Sequence, residues 1–307
     1  MRCHVNVRDE GPRDQRVILL LHGFLGSMRW FDRLVPHLRD SYRVIRVDLL
    51  GHGQSASPSG QYSPESQAAA ISGALASSGL SGSMPITVVG HSFGADIAIA
   101  MAELRRLRVA GIAVIGEGPD YTTFTGNATA NLLRNPLIGR PVFRALPSFL
   151  IRRSVELFFG PRFDVASAFD DAGQVVKDVR AVSYDFFLGS QEEKERYVAE
   201  QPLDARLAAL GLPSLVVFGA EDRVFRVADS AERYRRVRGA SVRVIDGAGH
   251  SPMLEAPDLV AGHIKSFGGR VRPADLPSAL LNGEIAPLSR APGDGDFAVP
   301  PIAETPR

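Results

Sequence analysis

Apolar runs rich in β-branched residues occur at Val17–Leu21, Ile86–Val89, Gly111–Ile115 and Ser214–Phe218. Unbroken runs of this length, rather than alternating ones, are the pattern of strands buried on both faces. Tyr42–Val47 and Ser241–Ile245 are further strand candidates. Arg2–Arg8 alternates, with Cys3, Val5 and Val7 on one face, and predicts an edge strand before Asp9-Glu10-Gly11-Pro12 turns the chain. Helical spacing separates these runs. Tyr62–Ser78 opens on Ser63-Pro64-Glu65, with proline suited to a first turn. Asp96–Arg105 turns Ile97, Ala98, Met101 and Leu104 inward, and Leu203–Leu210, Arg226–Val237 and Met253–Phe267, interrupted near Pro257, complete the set. Strands alternating with helices predict an α/β fold: a mostly parallel sheet with helices on both faces.

The alternation stops between Asp120 and about Gln201. Helical stretches at Ala128–Leu133, Val142–Phe159, Val165–Asp178 and Arg180–Leu188, punctuated by proline and glycine, take its place. The chain therefore divides into a first core part over 1–118, a helical insertion over 119–202 and a second core part over 203–269. From 270 to 307 the composition shifts to Pro, Gly, Ala and charge and periodicity is lost, which predicts a disordered or loosely attached tail.

Composition narrows the classes. With 307 residues and 45% hydrophobic content a sizeable core is available. A net charge of +1 argues against a nucleic-acid binder, and the arginines at 106, 108, 233, 235, 236 and 238 fall at helix ends that read as solvated. A single cysteine, Cys3, excludes an intrachain disulfide and a Cys-based metal site. No H-x-x-x-H pair or carboxylate cluster suggests a metal, so neither metal nor cofactor is expected. No run reaches the length of a membrane span and no targeting pattern opens the chain, which predicts a cytoplasmic protein with a small-molecule substrate.

The chemistry gathers at the ends of the apolar runs. Ile86-Thr87-Val88-Val89 leads into Gly90-His91-Ser92-Phe93-Gly94 and then a helix. Strand, G-x-S-x-G, helix is the context of a nucleophile elbow, in which a strained turn presents the serine hydroxyl. A lone serine is a weak nucleophile and requires a base and an orienting acid. Val216-Val217-Phe218 leads to Glu221-Asp222, and Val244-Ile245 leads to Gly249-His250-Ser251-Pro252. Leu19-Leu20-Leu21 leads to His22-Gly23-Phe24-Leu25-Gly26-Ser27.

The order Ser92, Asp222, His250, with these loops, resembles the α/β-hydrolase superfamily in its serine-nucleophile, cap-bearing, esterase- and lipase-like branch, from about Val17 to Phe267. The resemblance implies Ser92 as nucleophile, His250 as base and Asp222 as acid, with Glu221 as its neighbour and Glu117 or Asp120 as rivals. It implies an oxyanion hole from the backbone N–H groups of Phe24 and Phe93, and a structural part for His22 and for the Asp48-Leu49-Leu50-Gly51-His52-Gly53-Gln54-Ser55 loop. His91 precedes the nucleophile, so its side chain is expected to point away from the hydroxyl. The insertion becomes a cap shaping an apolar pocket, with Phe24, Phe93, Phe124, Tyr184, Phe187 and Met253 as candidate substrate contacts. Arg152 and Arg153 read as a solvated face rather than an anion site. The implied activity is hydrolysis of a small-to-medium apolar carboxylic ester through an acyl-enzyme. Alternatives on the same triad are a lyase, a carbon–carbon bond hydrolase or a cofactor-free perhydrolase; from another class, a ligand-binding receptor on a hydrolase fold. No oligomeric state follows from the sequence.

Overall fold

The computed structural model describes residues 4–80, 82, 84–125 and 133–270. Seven strands form one sheet in the order β1-β3-β2-β4-β5-β6-β7. They are β1 (Val7–Glu10), β2 (Val17–Leu21), β3 (Arg43–Val47), β4 (Ile86–His91), β5 (Val109–Ile115), β6 (Ser214–Gly219) and β7 (Ala240–Ile245). Only β1 runs antiparallel, against β3. β2, β5 and β6 are buried at every position, which is why their sequences read as largely continuous apolar runs; β3 is buried throughout as well, although it carries Arg43 and Arg46.

The edge strand is displaced from the expected Arg2–Arg8. It runs through Asp9 and Glu10, which read as a turn, because Arg43 on β3 donates to Asp9 and Arg46 donates to Glu10 across the pair. Cross-strand ion pairs extend the ladder where composition alone stops it.

Helix α1 (Pro64–Ser77) is capped by Ser63, whose side chain accepts from Ser66 N, and α2 (Phe93–Leu104) starts immediately after Ser92, three residues ahead of the expected start. Between β5 and β6 lie α3 (Pro136–Ala145), α4 (Ser148–Glu156), α5 (Gln174–Ala181), α6 (Tyr184–Glu200) and α7 (Leu203–Leu210). The expected helix over Val142–Phe159 is in fact two, broken at Pro147. The expected Arg180–Leu188 helix is replaced by α6, which starts after its cap Ser183 and continues to Glu200. The expected stretch Ala128–Leu133 and the tail fall almost entirely outside the described residues. After β6 come α8 (Val227–Arg235), and after β7 the short α9 (Pro252–Glu255) and α10 (Pro257–Arg270).

The strand order places the site. β3 and β1 lie on one side of β2, and from β4 onward the chain winds to β5, β6 and β7 on the other. β2 and β4 are therefore neighbours whose following loops diverge, and in open parallel sheets that switch point is where ligands bind. Register aligns Leu21 with Gly90, His91 with Ile115, Ile115 with Val217, and Gly219 with Ile245. The loops carrying His22, Ser92, Glu117, Asp222 and His250 consequently leave the same edge of the sheet.

Candidate active site

Ser92 holds φ 49 and ψ −126, a backbone conformation that non-glycine residues rarely adopt. From Val88 to Ala102 it is the one residue that is not buried, so the strained turn brings it to the surface. The flanking glycines are dictated by sterics. A Cβ on Gly90 would lie 2.2 Å from the Gly94 carbonyl oxygen, and one on Gly94 would lie 2.3 Å from the Leu21 carbonyl oxygen. Ser92 N donates to Ile115 O at 2.8 Å, fixing the turn on β5.

The loop after β2 packs directly on this turn. A Cβ on Gly23 would sit 3.0 Å from the Ser92 Cβ, so any larger residue would press on the turn. The next residues are Phe24 and then Leu25, itself left-handed at φ 57. The Phe24 and Phe93 rings stack at 4.1 Å with 4° between planes, which ties this loop to the start of α2. Phe93 N lies in the first turn of α2, where N–H groups have no intrahelical partner and the helix dipole favours negative charge.

His250 Nδ1 donates to Asp222 Oδ2 at 2.9 Å. Asp222 Oδ1 accepts from Val224 N at 2.7 Å, which holds the carboxylate in place. Since a carboxylate only accepts, Nδ1 carries the proton and Nε2 is left with its lone pair. Burial lowers the His250 pKa, but the adjacent Asp222 charge more than reverses this and holds it above the ordinary histidine value. Glu117 adds to the rise and Lys194 opposes it. His250 is tied to the elbow through the residue before Ser92: His91 Nε2 donates to His250 O at 3.0 Å, and the His250 backbone passes so close to the end of β5 that a Cβ on Gly116 would lie 2.5 Å from that same oxygen.

The rival groups are engaged elsewhere. Glu221 is exposed. Asp120 accepts from Thr122 N at 2.9 Å and pairs with Arg233. Glu117 is buried with Asp96 around the ammonium of Lys194 on α6: Nζ donates to Asp96 Oδ2 at 2.9 Å. It lies 2.7 Å from Glu117 Oε2, a close charge contact whose angles miss a directed hydrogen bond. Burial pushes the Glu117 pKa up to about 7 against the lowering effect of Lys194. One ammonium thus holds two buried carboxylates that desolvation would otherwise expel. Removing one partner of such a group strands the others, at about 3–5 kcal/mol. Lys194→Met is expected to lower stability by about that amount, and adding Asp96→Asn and Glu117→Gln is expected to recover most of it. Urea melts of the three proteins check this, and an undiminished Lys194→Met would contradict it.

His22 and Asp48 are structural. His22 Nε2 accepts from Leu49 N at 3.0 Å and Nδ1 donates to Gly23 O at 2.8 Å, so both ring nitrogens are occupied. Asp48 accepts from Met28 N, Asn6 Nδ2 and Gln54 N, each within 2.9 Å. His52 is buried against Phe186 at 5.7 Å, and burial lowers its pKa to about 3.

The candidate substrate contacts separate into groups. Phe24 is half-buried beside Phe93, whereas Phe93 and Met253 are fully buried. Phe124 packs on Phe225 at 5.7 Å, and Phe225 in turn lies 6.3 Å from the His250 ring. Tyr184 and Phe187 both pack on Phe143 inside the insertion, and the Tyr184 hydroxyl donates to Leu133 O. A cavity of about 540 Å³ is lined by Asn6, Asp48, Gln54, Asp178 and neighbours but by neither Ser92 nor His250, so it is not where the reactive groups converge.

Sequence reasoning missed Glu255. Its carboxylate accepts from Gly160 N at 2.7 Å, Gly249 N at 2.8 Å and Ser251 N at 3.2 Å. Together with His250 N donating to Phe158 O at 2.7 Å, this fixes the His250 loop and joins it to the insertion. The only signal in the chain is an acid in the first turn of the helix that follows His250. Misplacing a reacting group by about 1 Å costs about 10²-fold. Glu255→Ala is therefore expected to lower kcat by about that factor with KM nearly unchanged. Glu255→Gln, which keeps an acceptor oxygen, is expected to restore most of the loss. Steady-state kinetics decides it; full kcat in Glu255→Ala would remove the positioning role.

A sequence profile described as the alpha/beta hydrolase family matches residues 18–263. The chain belongs to the alpha/beta hydrolase family. It is 25% identical over 273 residues, 85% of this chain and 93% of the other, to a Bacillus subtilis protein named putative 2-succinyl-6-hydroxy-2,4-cyclohexadiene-1-carboxylate synthase. It is 27% identical over 256 residues, 81% of this chain and 76% of the other, to Lipase 1 of Psychrobacter immobilis. Among solved structures, a thermophilic esterase from Thermogutta terrifontis matches with a TM-score of 0.69 at 24% identity, covering 88% of this chain and 94% of that one. At that identity the match speaks for the fold.

Proposed function

We propose that this alpha/beta hydrolase cleaves neutral, apolar carboxylic esters through an acyl-enzyme on Ser92. The observation that carries the reading is the strained Ser92 turn at the switch point, with the hydrogen-bonded His250–Asp222 pair tied to it through the bond from His91 to the His250 carbonyl. In the first step His250 Nε2 takes the Ser92 Oγ proton as Oγ bonds to the carbonyl carbon. The carbonyl oxygen becomes an oxyanion facing the N–H groups of Phe24 and Phe93, each worth about 2.7–4 kcal/mol in comparable sites. Collapse breaks the bond to the alkoxy oxygen, and His250 returns its proton to the departing alcohol. Water then repeats the sequence on the acyl-enzyme and releases the acid. Asp222 holds the tautomer and stabilises the imidazolium. The helical insertion serves as the cap that restricts water above Ser92.

Charge placement supports a neutral substrate. Arg152 and Arg153, the candidates for an anionic substrate, are exposed on α4. Apart from Asp222, which is paired with His250, the buried charges Asp96, Glu117 and Lys194 hold one another. Hydrophobic pockets discriminate by about 1–3 kcal/mol per methylene, so broad activity across short and medium acyl chains is expected. A chain-length series of neutral aryl esters tests the reading; turnover of none of them, with the protein folded, would overturn it.

The base role fixes a pH dependence. Only neutral His250 can take a proton, and its pKa lies above the ordinary value. kcat/KM is therefore expected to fall as pH drops, with a midpoint above the unperturbed value of about 6.5. Asp222→Asn removes the charge that raises it and is expected to move the midpoint of any residual activity lower. A pH–rate profile checks both, and a midpoint well below 6 in the native protein would contradict the assignment.

A further inference from the structure

Among the described residues, eight large apolar side chains stand exposed, and six of them fall between positions 137 and 158 on α3, α4 and the residues that follow. They are Leu137, Ile138, Phe149, Leu150, Leu157 and Phe158, with Leu137 86% and Phe149 69% exposed. Single exposed apolar residues are ordinary; a concentration in one short segment marks an interaction surface. The same segment segregates charge. From 134 to 162 the chain carries six arginines, at 134, 140, 144, 152, 153 and 162, and one acidic residue, Glu156, although the whole chain has a net charge of only +1. Arg140, Arg144, Arg152, Arg153 and Arg162 are all exposed. Arg140 pairs with Asp185 and Arg153 with Glu156, while Arg144, Arg152 and Arg162 form no ion pair among the described residues. Short amphipathic helices with Leu and Phe outward and arginines beside them have the chemistry of an interfacial anchor on an anionic lipid surface.

We propose that α3 and α4 seat this protein on an anionic lipid bilayer, with these apolar side chains among the upper acyl chains and the arginines on headgroup phosphates. The surface adjoins the candidate active site. Phe158 O accepts from His250 N at 2.7 Å, and the Phe158 ring lies 6.1 Å from the His250 ring. An apolar ester dissolved in the lipid would thereby be delivered beside Ser92. That delivery rests on the proposed ester hydrolysis, whereas the docking does not.

The test is flotation of the full chain, in its Ser92→Ala form, with vesicles of phosphatidylcholine alone or with phosphatidylglycerol at about one part in three. The expected result is flotation with the anionic vesicles only, weakened by salt. Leu137→Ser, Phe149→Ser and Leu157→Ser together are expected to reduce binding by roughly tenfold or more. Arg144→Gln, Arg152→Gln and Arg162→Gln together, all at exposed positions, are expected to remove the preference for the anionic vesicles. In the Ser92 background both triple variants are expected to hydrolyse a water-soluble ester at the native rate, which shows that they are folded. Absence of flotation, or equal flotation of native and both triple variants, overturns docking. So does a concentration-dependent dimer abolished by the apolar substitutions, because a second copy then covers the patch. Burial of the patch by residues 271–307, revealed by flotation only after their removal, overturns it as well. Docking without ester turnover leaves this proposal standing and removes the ester reading; turnover without docking does the reverse.

Discussion

Ser92→Ala is expected to lower kcat for ester hydrolysis by about 10⁶, and His250→Ala by a similar factor, because nucleophile and base act as one unit. The residual rate comes from binding and the oxyanion donors alone. Neither change is expected to harm the fold. Ser92 lies half-exposed in a turn held by its own backbone bond to Ile115, and alanine tolerates that φ no worse than serine does. The double variant is expected to be no slower than either single one. Purified Ser92→Ala retaining more than a few per cent of native kcat would contradict the nucleophile assignment.

The second largest effect belongs to the acid. Asp222→Asn keeps the size of the side chain but allows an amide to donate toward His250 Nδ1, which favours the wrong tautomer and leaves the imidazolium without its counter-charge. Comparable sites lose about 10⁴ in kcat, and a loss of that order is expected here. Glu117→Gln is the control. It removes a carboxylate that lies against Lys194 rather than against the His250 ring nitrogens, so its effect on kcat is expected to be far smaller. A larger kcat loss in Glu117→Gln than in Asp222→Asn would place the orienting acid after β5 instead of β6.

The strands and helices that bury a continuous apolar face were legible in the chain. Val17–Leu21 and Leu203–Leu210 are found at the bounds their pattern predicts. Elements held by charge were not. Asp9 and Glu10 join β1 only because Arg43 and Arg46 face them across the ladder, a partner choice no local window contains. The part of α6 beyond Leu188 is mostly polar and lies outside the expected Arg180–Leu188 helix, yet Arg196 pairs with Glu193 and Glu200 along the helix while Lys194 and Tyr197 are buried against the core.

The same division runs through the candidate site. Ser92, Asp222 and His250 were legible as candidates because each follows a strand in the order the resemblance implies, and strands are the most readable part of this chain. Gly90 and Gly94 announced the close approach that the backbone makes there. What supports His250 could not be found. Glu255 acts on main-chain N–H groups, which every residue possesses and no sequence distinguishes. Lys194 reaches Asp96 from α6 only once the insertion has folded over the core. Phe124, Tyr184 and Phe187 illustrate the remaining gap: aromatic content predicts that rings will cluster, not which of them will face Ser92.

Ser92 as the nucleophile is tested most sharply by covalent labelling of the native protein with a fluorophosphonate, read by peptide mass mapping alongside residual turnover. One adduct is expected, on Ser92, with ester hydrolysis lost in proportion to labelling and no adduct in His250→Ala on the same timescale. An adduct on another residue, or unimpaired hydrolysis in protein fully labelled at Ser92, would contradict it.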